Sequence, residues 1–163
     1  MQIIKDGKII NDDIQHLADD ESPTGSRFTV SFARWQAERE NLRQAKGTVG
    51  IRLNGGDALA SIALDLPSLE PVVVEFPALA DGRAFSLARL LRERFGYAGE
   101  IRAHGDFIRD QVYFLARVGV NAFEPVEGTD LEKLLPALDD FSVNYQAAAD
   151  NVEPVYQKRG KSY

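Results

Sequence analysis

A chain of 163 residues is long enough for one domain with its own core, and the lack of any cysteine rules out disulfides, thiolate nucleophiles and cysteine-ligated clusters. Hydrophobic residues at 44% beside 27% charged residues place it among ordinary globular proteins, and a formal net charge of -6 argues against nucleic acid as a partner. With only His16 and His104 available, no metal is expected; no apolar run reaches the ~20 residues of a membrane helix, no signal-peptide core opens the chain, and the cytoplasm is the expected compartment.

In chain order, IIKDGKII sets two apolar stretches around Asp6-Gly7, a hairpin signal. NDDIQHLADDESPTGS follows as an acidic, turn-rich loop, so residues 1–27 read as a hairpin and loop appended to the main body. From residue 28 strands alternate with helical stretches. FTVSF, TVGIRL, PVVVEF, GEIRA and NAFEPV are the strands. ARWQAERENLRQAKG, RAFSLARLLRERFG, DFIRDQVYFLARVG and TDLEKLLPALDDF read as helices, the last capped by Thr129 or Asp130, and DALASIALDLPSLE as a helix or helix-turn. The expectation is a single-domain α/β fold over 28–146, a mostly parallel open sheet of about five strands flanked by helices. A half-barrel-like arc of β/α units is the alternative. Residues 147–163 end basic and read as a flexible tail or an arm on a neighbour. A homodimer that covers an edge stays open.

Parallel sheets bind ligands beyond the carboxyl ends of their strands. Asp81-Gly82-Arg83 stands at such an end and opens a helix, where unsatisfied N–H groups, the Arg83 fork and Ser86 could take an oxyanion. The plainer reading has Asp81 capping the helix and Arg83 paired with a carboxylate. Arg89, Arg92 and Arg94 then form a solvated or partner-facing stripe. His104-Gly105-Asp106 is the second candidate turn. His104 with Asp106 or Asp110 makes an acid–base pair in one reading, and a capped helix beside a surface histidine in the other. No GxGxxG, phosphate loop or GxSxG elbow occurs, the NGGD exit at 54–57 reads as a turn, and Trp35 as packing.

The segments DGRAFSLARLLRER, GEIRAHGD, RDQVYFL and DDFSVNYQ, in this order, resemble a bacterial family known as domain of unknown function 934, from about residue 28 onward. The resemblance implies a role beside assimilatory sulfite or nitrite reductase haemoproteins, and family members often carry an oxidoreductase label. It marks Asp81, Gly82, Arg83, Ser86, Arg102, Gly105, Asp106, Asp110 and Gln111 as the functional surface; His104 is not among the positions carried over. The function expected from the resemblance is an accessory protein of sulfite reduction. It would bind the reductase haemoprotein or its electron donor, with a small oxyanion at the strand-end turns. The alternative is an oxidoreductase holding flavin or nicotinamide at an atypical phosphate site, since without cysteine or a nucleotide fingerprint a resident cofactor is not the first expectation. A lyase or isomerase using Asp106 or Asp110 as base is a third reading.

Overall fold

In every central strand one register of side chains is apolar and the next is interrupted by charge, and the computed structural model shows where each set goes. It describes residues 1–150 and 152–158. The strands are β1 (Gln2–Lys5), β2 (Lys8–Asn11), β3 (Gln15–His16), β4 (Arg27–Ser31), β5 (Thr48–Leu53), β6 (Val72–Phe76), β7 (Ile101–Gly105) and β8 (Ala122–Pro125). The helices are α1 (Phe32–Arg43), α2 (Arg83–Glu93), α3 (Arg109–Arg117), α4 (Leu131–Leu134) and α5 (Val155–Lys158). The stretch between β5 and β6 forms two short 3-10 turns, at Leu59–Ile62 and Leu66–Ser68, the second carrying a proline at its start.

All eight strands form one sheet in the order β2-β1-β8-β7-β6-β5-β4-β3. From β3 to β8 the neighbours are parallel and follow chain order without a reversal. A doubly wound sheet reverses its strand order at a switch point; here there is none, and the arrangement is the arc of β/α units. The hairpin turns at Asp6 (φ 47) and Gly7 (φ 73), the left-handed pair a two-residue turn needs. It is not an appendage: β1 pairs antiparallel with β8, Ile4 opposite Phe123.

Chain length shows how strongly the sheet curls. The outermost strands of a flat eight-stranded sheet would stand roughly 34 Å apart. Yet β2 and β3, the two edges, are joined by residues 12–14 alone, a span of at most ~14 Å from Asn11 to Gln15. The sheet therefore bends into a half-barrel, and residues 12–14, read from the sequence as part of the acidic loop, are the strap across its opening. Ile14 in the strap and Leu17 just past β3 are buried.

Phe28, Val30, Ile51, Leu53, Val72, Val74, Ile101, Ala103 and Phe123 point to the outer face. There they form one core with Trp35 and Leu42 of α1, Leu87 and Leu91 of α2, and Val112 and Leu115 of α3. Ser31 caps α1, its hydroxyl accepting from the Arg34 N–H at 3.0 Å. Trp35 is packing, as expected, with its indole N–H donated to the buried Asp65 at 3.0 Å. Asp130 caps α4, one of the two candidates read from the sequence. Of the expected C-terminal tail, Asp150 pairs with Arg117 at 2.9 Å and Val155 bonds back to Asn144 at 2.9 Å; residues 151 and 159–163 lie outside the described residues. Among the described residues no helix is long and apolar enough to cross a membrane.

Candidate functional site

The inner face of the half-barrel carries the alternate register: Thr29, Arg52, Glu75, Arg102, His104 and Glu124 from five successive strands, joined by Asp12 and His16. Because the sheet is curled, side chains from distant strands meet. His16 on β3 reaches Glu124 on β8, its Nε2 lying 3.0 and 3.1 Å from the two carboxylate oxygens. Five strand spacings in a flat sheet would separate them by roughly 24 Å.

Arg102 is the centre of this face and is fully buried. Its guanidinium donates to Glu100 at 2.7 Å and to Glu124 at 2.8 Å. Asp12, swung in on the strap, lies 2.6 Å away on the remaining nitrogen, as an ion pair off the hydrogen-bond directions. Asp12 also accepts from Arg27 at 2.8 Å, and Glu100 from Lys5 at 2.6 Å. Burial alone would push the Asp12 carboxyl up; the charges of Arg102 and Arg27 hold it below its usual range. Glu124 behaves the same way: burial is outweighed by His16 and Arg102, and the carboxyl sits low.

A second polar group lies towards the other side of the arc. Arg52 donates to the Thr29 carbonyl and hydroxyl, both at 3.0 Å, and to the Leu17 carbonyl at 2.7 Å, which ties the chain just past β3 to the sheet. Glu75 stands 3.4 Å from Arg52 and accepts from the Asn54 amide at 2.9 Å. The Thr29 hydroxyl also meets His16 Nδ1 at 2.6 Å. The His16 and His104 rings lie 4.9 Å apart, and His104 Nε2 is 3.8 Å from Glu124. Burial pushes the His104 imidazole down, with Glu124 opposing and His16 adding to the effect.

His104 and Glu124 open onto a cleft of about 860 Å³ at the carboxyl ends of β7 and β8, whose rim includes Gly105, Glu127, Thr129 and Ile9. Gly105 is required where β7 ends: its φ is +113, and a Cβ there would stand 2.4 Å from the Phe76 carbonyl oxygen. On one side the cleft is walled by the N-terminal hairpin, through Met1, Gln2 and Ile9.

The candidates read from the sequence divide accordingly. Arg102, Gly105 and His104 belong to this site. His104 takes Glu124 as its carboxylate neighbour; Asp106 and Asp110 are exposed beyond the end of β7. The two turns are adjacent, as neighbouring strands require, and Gln111 spans them: its amide donates to the Leu79 carbonyl at 3.3 Å and accepts from the Ile108 N–H at 3.1 Å. Asp81 accepts from the Arg83 backbone N–H at 3.1 Å and from its guanidinium at 2.9 and 2.7 Å. Those bonds hold the Asp81 carboxyl down to about 2 and set the chain's own carboxylate against Arg83 at the start of α2, as in the plainer of the two readings of this turn. Gly82 and Ser86 are exposed beside it. Arg89 pairs with Glu93 at 2.9 Å, whereas Arg92 turns inward to the carbonyls of Gly119, Tyr97 and Gly99.

Sequence reading missed Asp12, His16, Thr29, Arg52, Glu75, Glu100 and Glu124. A signal for several of them existed. In IRL, VEF, IRA and FEP a single charged residue interrupts an apolar strand, which is costly unless the alternate face has partners waiting.

A model of the family described as "Bacterial protein of unknown function (DUF934)" matches residues 50–156 of the chain. No curated protein and no solved structure matches it.

Proposed function

The chain belongs to the bacterial DUF934 family, and on that premise we propose that it is a cytoplasmic accessory protein of assimilatory sulfite reduction that docks on the reductase haemoprotein. The observation that carries this reading is an exposed aromatic surface built by α3 and residues 141–145, which pack against it from beyond α4. Phe114, Phe141, Val143 and Tyr145 are all more than half exposed. The Phe114 and Phe141 rings meet at a tilt of 47° with their centres 6.2 Å apart, and the Phe141 ring centre lies 4.8 Å from that of Tyr113. Beneath them the segment is pinned by polar bonds: Arg109 grips Asp140 at 2.7 and 2.8 Å, and Tyr113 donates to Asn144. A segment held in place so that its large apolar groups face water is suited to a partner, because aromatic residues are enriched in interfaces. The test is retention of the purified haemoprotein, followed by its haem absorbance, on immobilised wild type and on a Phe114→Ser/Phe141→Ser variant. Retention by wild type and loss by the variant support docking. No retention of the haemoprotein by wild type sinks it, and retention of the electron donor instead would move the partner.

The cleft favours a second reading, an oxidoreductase using flavin or nicotinamide. Its volume of about 860 Å³ lies within the range of ligand pockets, and it opens at the end of the strands where barrel enzymes place their sites. Titration of the chain with flavin mononucleotide, read by fluorescence quenching, decides it: saturable binding that His104→Ala weakens supports the enzyme, and no quenching removes the flavin version.

A further inference from the structure

We propose that His16, His104 and Glu124 form a binding site for a divalent transition metal of the zinc type, set inside the half-barrel and open to the cleft. Two imidazoles and one carboxylate are the donor set of many three-ligand zinc sites, which keep a further position for water or substrate. The ligand atoms of the three residues all lie within 4.8 Å of one another, with Glu124 at 3.0 Å from His16 and 3.8 Å from His104. Donors on a tetrahedral ion with bonds of ~2.05 Å stand ~3.3 Å apart, so small rotations of existing side chains bring the three onto one ion.

The residues behind the donors are arranged as a metal site needs. Arg102 donates to Glu124 Oε2 at 2.8 Å and fixes the carboxylate, leaving Oε1 turned to both imidazoles. The Thr29 hydroxyl has two acceptor positions. Arg52 uses one, and the other can accept from His16 Nδ1–H, which leaves the Nε2 lone pair facing Glu124. In that tautomer the Nε2 lone pair and the carboxylate oxygen face each other at 3.0 Å and a metal ion between them relieves their repulsion; in the other neutral tautomer Nε2–H itself donates to Glu124. The neighbouring guanidiniums do not take the ion's place alone: Arg102 is shared with Glu100 and Asp12, and Arg52 lies beside Glu75. Among the described residues His104 has no hydrogen-bond partner closer than the 3.8 Å approach to Glu124, so its ring is available to a ligand. Access comes from the cleft, whose rim carries Glu127, Asp130 and Glu132 and so attracts cations more than oxyanions. His16 lies outside the segment that matches the family model, on the edge strand β3 to which the strap leads.

The test uses the full chain without a histidine tag, stripped with a chelator and titrated calorimetrically with zinc ions. Cobalt(II) serves as a coloured substitute that reports its own coordination. One ion per chain is expected, with the intense visible bands of a low-symmetry cobalt site. His104→Ala should weaken zinc binding at least ~100-fold, since even groups behind the ligands are worth 10–100-fold. Glu124→Gln should do the same. The His104→Ala variant keeps the buried Arg102 network, and circular dichroism and the melting midpoint of its metal-free form should match wild type. No saturable zinc binding by wild type overturns the proposal. So does His104→Ala binding as tightly as wild type, which would place the ions on the acidic rim. Neither result bears on retention of the haemoprotein, so the two proposals fail separately.

Discussion

On the outer face of the sheet Ile51, Val72 and Ile101 stand side by side across three strands; one residue further along, on the inner face, Arg52, Val73 and Arg102 do. The same backbone and the same hydrogen-bond ladder support both rows. The outer row is covered by helices and needs only shape and apolarity, which related side chains can supply. The inner row closes on itself, because the sheet curls until β3 and β8 face each other, and its charges must find partners among themselves. A gap on the outer face can be taken up by its apolar neighbours, whereas a charge removed from the inner face strands its partners.

The sharpest way to break this contrast is Arg102→Ala. It leaves Glu100, Glu124 and Asp12 without their shared cation, and breaking a buried ion pair costs about 3–5 kcal/mol. Urea denaturation should show that loss; a change under 1 kcal/mol would mean that water already reaches these carboxylates.

Asp12→Asn comes next, at about 1.5–3 kcal/mol near neutral pH, the usual worth of hydrogen bonds to charged groups. Its pH dependence has a definite sign. The folded carboxyl is held below its ordinary 3.8, so its contribution is present above that pH and is lost as pH falls through the lower folded value. Wild type should therefore lose stability on acidification below 3.8 more steeply than the variant, and parallel acid limbs would remove the strap from the explanation.

Ile51→Val, on the outer face, should cost only about 0.5–1.5 kcal/mol, the price of one methylene in a core that can settle. Finally, Arg89→Ala removes an exposed pair with Glu93 on the far side of α2, and its midpoint should coincide with wild type. A measurable loss there would show that α2 bears on something beyond its own surface.

The legibility of the chain follows the same division. Strands β4 to β8 were readable because their outer residues form short apolar runs bounded by glycine and proline, and the hairpin was readable from Asp6-Gly7. The arc was only one of two arrangements open to that pattern: strand order is decided by which neighbours pair, and periodicity is silent on pairing. At the site, Arg102, His104 and Gly105 were singled out, while His16 was passed over inside a segment that reads as polar loop. Its placement depends on the strap bringing two sheet edges together, a long-range event with no local signature. At Asp81 and Arg83 the sequence left an anion pocket and a paired carboxylate both open; the two opposite charges, two residues apart, satisfy each other, which is the plainer of those readings.

The pairing of β1 with β8 also has a consequence for the order in which the molecule can be completed. Ile4 waits for Phe123, so a chain emerging from the ribosome can form its hairpin at once but must hold that edge unpaired until most of the protein has been made. The strands between can add in turn, each beside the last, with only a short crossover to close. The final step is a seam between the earliest and the latest segments, dominated by contacts of large sequence separation. Assembly of the inner charges therefore coincides with that closing step, when His16 and Glu124 first meet.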